Sequence, residues 1–245
     1  MAESNLIREL KLRYPLIAVT TSNEKPAPVL QIKETGWACM MSMFMRAVRG
    51  TTVVLDRKVI RCPGGKTGLG FGNFYSGHED AVSHFLSTGK PGKYEGEAYK
   101  KTPALARTMI ESVPVIDLPY KYITFKPFDT IDASQETPRL VIALANADQL
   151  SALIVLANYG RTNNHSVIVS MGSACSSICL YPFNEINSEE PRAVIGLTDI
   201  TTRHYLDADM LSFTVPYKMF TEMEADMPGS FLHKKPWKEL RKRIK

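Results

Sequence analysis

Four cysteines are the residues of this chain best suited to chemistry, because a thiolate binds soft metals and is a strong nucleophile. They are Cys39, Cys62, Cys175 and Cys179. They fall in three short segments at the edges of predicted helices or strands, and Cys39, Cys62 and Cys175 each lie beside methionine, proline or serine. A thiolate in such a place could face a metal instead of a packed core. The sequence therefore indicates a site but names no substrate.

The spacing of these cysteines leaves ligation and packing as alternatives. Cys175 and Cys179 are four residues apart, so on a helix they share a face and could reach the same ion. Pro63 follows Cys62, and a proline after a ligating cysteine occurs in iron–sulfur sequences. Neither spacing matches a ferredoxin or a paired zinc motif. Cysteine also fills cores; for Cys179, between two aliphatic residues, packing is favoured, whereas the other three are evenly balanced.

A glycine-rich segment at residues 64–72 follows Cys62 and contains Gly65-Lys66-Thr67. A phosphate loop needs a further glycine five residues before Gly65, where this chain has Ile60, so that match fails. Backbone amides of a glycine-rich turn could still hold an anion beside Lys66. Alternatively, the glycines let the chain pass close to a bulky cofactor. We therefore name Gly64, Gly65 and Lys66 as candidate cofactor-binding residues.

The length and composition favour a folded protein with a large core. The chain has 245 residues, of which 44% are hydrophobic, enough for one domain over residues 1–245 or two packed halves at 1–130 and 139–245. The polar N-terminus does not resemble a secretory signal, and no apolar run approaches the roughly 20 residues of a membrane span. We expect a soluble cytoplasmic protein whose thiols stay reduced or bind metal.

Predicted strands and helices alternate, which indicates an α/β or α+β fold with a mixed sheet. Strands are predicted at residues 14–20, 51–55, 120–125, 140–144, 166–170, 193–197 and 211–215. Helices are predicted at residues 40–48, 79–87, 103–111, 147–159 and 217–225. No serine-nucleophile elbow or carboxylate pair supports a hydrolase, so the sequence leaves open whether the protein is an enzyme.

The net charge of +5 is concentrated in the basic segment 234–245. Trp237, Leu240 and Ile244 fall on one face of a helix there, which predicts a docked helix with its cations in water. A nucleic-acid partner and a membrane partner are therefore not expected. A small-molecule substrate, a redox partner and a homo-oligomer remain open.

Several motifs in combination resemble the prokaryotic family catalogued as domain of unknown function one-six-nine. They are Cys62-Pro63-Gly64-Gly65 with Gly68-Leu69-Gly70, Leu156-Ala157-Asn158-Tyr159-Gly160-Arg161, Gly172-Ser173-Ala174-Cys175-Ser176-Ser177, Gly196-Leu197-Thr198-Asp199, Leu211-Ser212-Phe213-Thr214-Val215-Pro216-Tyr217 and Gly229-Ser230-Phe231-Leu232. The resemblance covers about residues 14–237 and brings no settled activity with it. It implies that cysteines recur at positions 39, 62 and 175, whereas position 179 is more often apolar.

Two functional hypotheses follow. In the first, Cys39, Cys62 and Cys175, with Cys179 as a fourth candidate, ligate an iron–sulfur cluster, expected to be 4Fe-4S, with zinc as the alternative metal. Three cysteines would leave one iron open, which suits Lewis-acid or radical chemistry. In the second, the protein holds no cofactor, its loops bind a small anion and its cysteines pack. The first hypothesis predicts that Cys39, Cys62 and Cys175 converge in space.

Overall fold

A computed structural model describes residues 4–26 and 39–244, and its centre is a seven-stranded mixed sheet. The strands are β1 (Ile17–Ser22), β2 (Val53–Leu55), β3 (Tyr122–Pro127), β4 (Leu140–Ala145), β5 (Val167–Val169), β6 (Ala193–Gly196) and β7 (Leu211–Pro216). Their order in the sheet is β2-β3-β1-β4-β7-β6-β5. Neighbouring strands are antiparallel except β5 and β6, which run parallel. The predicted mixed sheet with helices is confirmed.

Helices cover both faces of this sheet. They are α1 (Asn5–Leu10), α2 (Met40–Val48), α3 (Pro63–Gly68), α4 (Glu79–Phe85), α5 (Pro103–Ser112), α6 (Ala147–Tyr159), α7 (Tyr181–Glu185), α8 (Tyr217–Asp226) and α9 (Lys235–Leu240). A π-helical segment, Ser176–Leu180, runs directly into α7, and a 3-10 helix, Ile200–Tyr205, links β6 to β7. None of the helices among residues 4–26 and 39–244 has the length and apolar character needed to cross a membrane.

Strand β4 lies at the middle of the sheet and is buried on both faces. Val141, Ala143 and Ala145 belong to the core on one face, and Leu140 and Ile142 belong to the core on the other. Because successive side chains of a strand point to opposite faces, an all-apolar strand is stable only where both faces are covered. Pairing of β1 with β4 joins the two sequence halves into one sheet; the division into domains remains a prediction.

The first face of the sheet is covered by α1, α6, α8 and the C-terminal segment. The start of α6 is closed by a capping box, in which Asn146 and Gln149 each bond the other's backbone. The Gln149 side-chain amide also donates to the carbonyl oxygens of Leu10 and Lys11. This buried amide therefore ties the end of α1 to the start of α6, since leaving it unpaired would carry a desolvation cost.

The basic C-terminal segment is docked on this face, as predicted. Trp237 and Ile244 are buried, and Leu240 is partly buried against the same core. Helix α9 ends at Leu240 and a 3-10 turn, Arg241–Arg243, follows, so Ile244 reaches the core after a change of helix type. The Trp237 ring packs edge-on against Phe231 with centroids 6.1 Å apart.

We expect Trp237→Ala to lower the free energy of unfolding by about 3–5 kcal/mol, because it leaves a cavity where a large ring was buried. Exposed Lys238 on the same helix is the control, and Lys238→Ala should change stability by no more than about 0.5 kcal/mol. Urea denaturation of both variants measures the difference. Equal stabilities would show that the C-terminal segment is not docked in solution.

Candidate cysteine site

The second face of the sheet carries α2 and the π-helical segment, against which α3 packs, and Cys39, Cys175 and Cys179 belong to the core of this face. Strands β5 and β6 are parallel, so their carboxyl ends meet at one edge. The chain leaving β5 brings Ser173 and Cys175 there, and the chain leaving β6 brings Asp199. The Ala174 N–H donates to Asp199 Oδ2 at 3.3 Å. Open sheets commonly bind ligands beyond the carboxyl ends of parallel strands.

Three of the cysteines stand at the starts of helical segments. Cys39 is the N-cap of α2 and Cys62 is the N-cap of α3, and neither side chain makes a capping hydrogen bond. Cys175 immediately precedes the π-helical segment. The charges of Cys39 and Cys62 each influence the Cys175 thiol. Both cysteines, from distant parts of the sequence, thus lie near Cys175.

Burial is the main influence on the Cys175 thiol and raises its pKa well above the ordinary value. The neighbouring thiols of Cys62, Cys39 and Cys179 and the carboxylate of Asp199 raise this pKa further. Burial disfavours the charged form, and nearby negative charge does the same. A compensating cation would therefore be needed to hold these sulfurs together as thiolates.

Cys179 differs from the other three in its surroundings. Its side chain is fully buried in the core of the second face, between Ile178 and Leu180, which are also fully buried. Burial alone raises the pKa of its thiol. These surroundings agree with the core role that the neighbouring residues in the sequence favoured. Ligation of a metal by Cys179 stays a prediction.

Gly64 and Gly65 lie inside helix α3 and not in a loop. The glycines of this helix permit close packing, most clearly at Gly68. A Cβ atom added at Gly68 would lie 2.5 Å from the Cys175 Cβ and 2.8 Å from the Ser176 nitrogen. Only glycine lets α3 approach the start of the π-helical segment this closely. The glycines therefore bring the Cys62 and Cys175 elements into contact; anion binding by this segment remains a prediction.

Lys66 directs its charge toward an aromatic ring. Its Nζ lies 4.8 Å from the centroid of the Phe74 ring, a distance at which a cation is attracted to the ring face. The Phe74 N–H in turn donates to the Thr67 hydroxyl at 3.0 Å. These contacts stabilise the turn after α3 and give the Lys66 charge a structural role. Anion binding by Lys66 stays a prediction.

The π-helical segment is held by the chain that follows β6. The Ser177 hydroxyl donates to the Ala174 carbonyl oxygen at 2.9 Å and accepts from the Leu197 N–H at 3.0 Å. Leu197 is fully buried with a φ of +62°, a strained conformation for a residue with a side chain. Such strain often occurs at functional sites, as do π-helical turns. Here the two directly contact each other.

Hydroxyl groups surround the three cysteines. Tyr75 Oη lies 3.3 Å from the position that a Cβ would take on Gly64, and Cys62 Sγ lies 3.7 Å from the same point. Ser173 lies near the Tyr75 phenol and opposes the rise of its pKa, and the Ser173 Oγ is 2.9 Å from the Ser176 Oγ. Burial is the largest of several causes that raise the Tyr75 pKa, with Cys175 and Cys62 adding to it.

The Tyr205 phenol lies near Cys39, whose charge is the main cause that raises the Tyr205 pKa. Sequence reasoning missed Tyr75, Ser173, Asp199 and Tyr205 as site residues. Ser173 and Asp199 lie in motifs that carried the family resemblance, so a signal existed for them. The two tyrosines have no local signal, because only folding brings them to the cysteines.

Residues 4–26 and 39–244 contain no group of three or more His, Cys, Asp or Glu side chains arranged to hold a metal ion. A single tetrahedral ion with metal–sulfur bonds of roughly 2.3 Å requires sulfurs about 4 Å apart. An iron–sulfur cluster has a body of several atoms, so its thiolates are spread more widely. Cysteine thiolates are the usual ligands of such clusters, so a cluster at these cysteines remains a prediction.

Comparison with known proteins identifies the family. The sequence model of domain of unknown function 169 (DUF169), described as uncharacterised ArCR, matches residues 5–226. The chain belongs to this family. No curated protein and no solved structure was found to match it. The DUF169 match includes Cys39, Cys62, Cys175 and Cys179, and it ends before the docked C-terminal segment.

In this DUF169 protein, Gly68→Ala should lower the free energy of unfolding by about 1–3 kcal/mol, because the added methyl group would overlap the Cys175 backbone. Gly64→Ala in the same helix is the matched control. Its methyl group would meet only the ends of the Tyr75 and Cys62 side chains at 3.3 Å and 3.7 Å. Thermal unfolding of both variants measures the effect, and a Gly68→Ala variant as stable as Gly64→Ala would contradict this packing.

Proposed function

We propose that this protein binds an iron–sulfur cluster through Cys39, Cys62 and Cys175. The observation that supports the proposal is that Cys39 and Cys62 each lie near Cys175, with all three at the starts of helical segments. Packing alone gives no reason to place unpaired polarizable side chains together beside glycines that force close approach. We propose a 4Fe-4S cluster, with zinc as the alternative metal.

The surroundings of the three thiols support a bound cofactor. Cys39 and Cys62 are only partly buried, so ions and partners can reach the site from solvent. When bound with three cysteine ligands, such a cluster supplies either one-electron transfer or a Lewis-acidic iron that lacks a cysteine. Ser173 and Tyr75 are the nearby side chains that could orient a small molecule at that position. The reduced thiols fit a cytoplasmic setting.

The decisive experiment is anaerobic purification, followed by measurement of iron and acid-labile sulfide. The proposal predicts iron and sulfide in equal amounts, about four of each per chain for a 4Fe-4S cluster, and a broad thiolate-to-iron charge-transfer absorbance. Zinc without sulfide would replace the cluster by a zinc site. Neither metal nor sulfide, after reconstitution with ferrous iron and sulfide, would reject the proposal and favour the cofactor-free anion-binding hypothesis.

Cysteine variants test which sulfurs are ligands. We expect Cys62→Ala to lose most of its iron and sulfide, since ligand loss and loop order are coupled in metal sites. Cys179→Ala is the control that also removes a thiol from this region, and it should keep the cluster while losing about 1 kcal/mol of stability through packing. Iron and sulfide are measured on both variants after the same reconstitution. A loaded Cys62→Ala and an empty Cys179→Ala would mean that the ligand set is wrong.

A further inference from the structure

We propose that a cleft between helices α6 and α8 binds a small aliphatic amine, whose ammonium group pairs with the carboxylate of Asp226. The cleft has a volume of about 400 Å³, which is within the range of small-molecule sites in proteins. Both helices cover the first face of the sheet, whereas Cys175 belongs to the core of the second face. The inference is therefore independent of the proposed cluster, and either can fail without the other.

The buried part of the cleft is apolar. Its lining comes from side chains on both helices, namely Leu156, Ala157, Met219 and Met223. Methionine side chains adapt to a ligand of irregular shape, so this surface suits the hydrocarbon body of a ligand. These side chains offer no oxygen atom, whereas Ca²⁺ and Mg²⁺ are each held by about six or more oxygen ligands. An organic cation therefore fits the cleft better than a metal ion.

The charged part of the lining leaves one carboxylate uncompensated. Arg161 Nη2 donates to Glu222 Oε2 at 2.6 Å, so these two charges largely cancel. The Asp226 carboxylate has no hydrogen bond or ion pair with another residue in the ranges 4–26 and 39–244. The cleft thus carries a net negative charge, which attracts a cation.

The position of Asp226 is electrostatically unfavourable for a carboxylate on its own. Asp226 is the last residue of α8, and its Oδ2 lies 2.9 Å from the point that a Cβ would take on Gly160, the C-cap of α6. The carboxylate therefore faces the negative ends of two helix dipoles, where a cation is stabilising. It also lies four residues after Glu222, a spacing at which like charges destabilise a helix. An ammonium group beside Asp226 would relieve both effects.

Two contacts hold the ends of α6 and α8 together beside the cleft. One is the ion pair of Arg161 with Glu222. In the other, the Tyr159 phenol donates to the carbonyl oxygen of Gly229, just after α8, at 2.7 Å. Because these contacts fix the two helix ends, binding need not order loose segments, which favours affinity. Tyr159, Arg161 and Gly229 lie in motifs that carried the family resemblance, and none of them has a part in the proposed cysteine site.

The probe is n-hexylamine, titrated at neutral pH into protein whose methionines carry a ¹³C-labelled methyl group. The signals of Met219 and Met223, assigned with Met219→Leu and Met223→Leu, should shift and saturate at millimolar hexylamine, while that of Met41 on the second face stays in place. Hexanoate and 1-hexanol should bind at least about tenfold more weakly, because they cannot form the charge-assisted hydrogen bond. No shift at Met219 and Met223, or equal affinity for the three compounds, would overturn the inference.

Asp226→Asn tests the carboxylate with a side chain of nearly the same shape, and it should weaken hexylamine binding at least about tenfold. Asp148→Asn is the matched control, because Asp148 lies in the first turn of α6, at the far end from the cleft, and pairs with Arg243. Gly160→Ala is a second variant, whose methyl group would displace the Asp226 carboxylate and should also weaken binding. An Asp226→Asn variant that binds hexylamine as tightly as Asp148→Asn would reject the site.

Discussion

The close contact between helix α3 and the start of the π-helical segment is the constraint on which the site depends. At Gly68 the two backbones leave no room for a Cβ atom, because the Cys175 Cβ would be 2.5 Å away. This approach brings the N-cap residue Cys62 toward Cys175, although the two are far apart in the chain. A side chain at position 68 would separate these elements and the thiols with them.

The strained segment after β6 supports the same region from the sheet. Leu197 adopts a positive φ while fully buried, and its N–H bonds Ser177 inside the π-helical segment. Asp199 then reaches the Ala174 N–H just before Cys175 and also contacts the Tyr99 phenol. The left-handed backbone of Leu197 and the π-helical turn are each unfavourable on their own, and the hydrogen bond between them stabilises both. Such a combination persists only where the surrounding packing determines it.

The polar and apolar faces of the elements explain why most of the fold could be predicted. Helix α2 and helix α6 have the predicted bounds, and the strands differ from prediction by only a few residues at their ends. In both helices no other sequence signal competes with the pattern of apolar residues, and α6 begins at an Asn146–Gln149 capping box. The segment at residues 64–68 was mistaken for a loop because glycine disfavours helices, whereas packing against Cys175 makes glycine necessary there.

The sequence by itself determined the element types, the buried face of the C-terminal segment, and the choice of the cysteines as candidate site residues. These properties depend on local periodicity and residue chemistry, which can be read directly from the sequence. Only the tertiary structure decided that Cys39 and Cys62 lie near Cys175 and that Tyr75 and Tyr205 lie near these cysteines. Those relations depend on sheet order and on contacts between backbones distant in sequence, which local patterns do not encode.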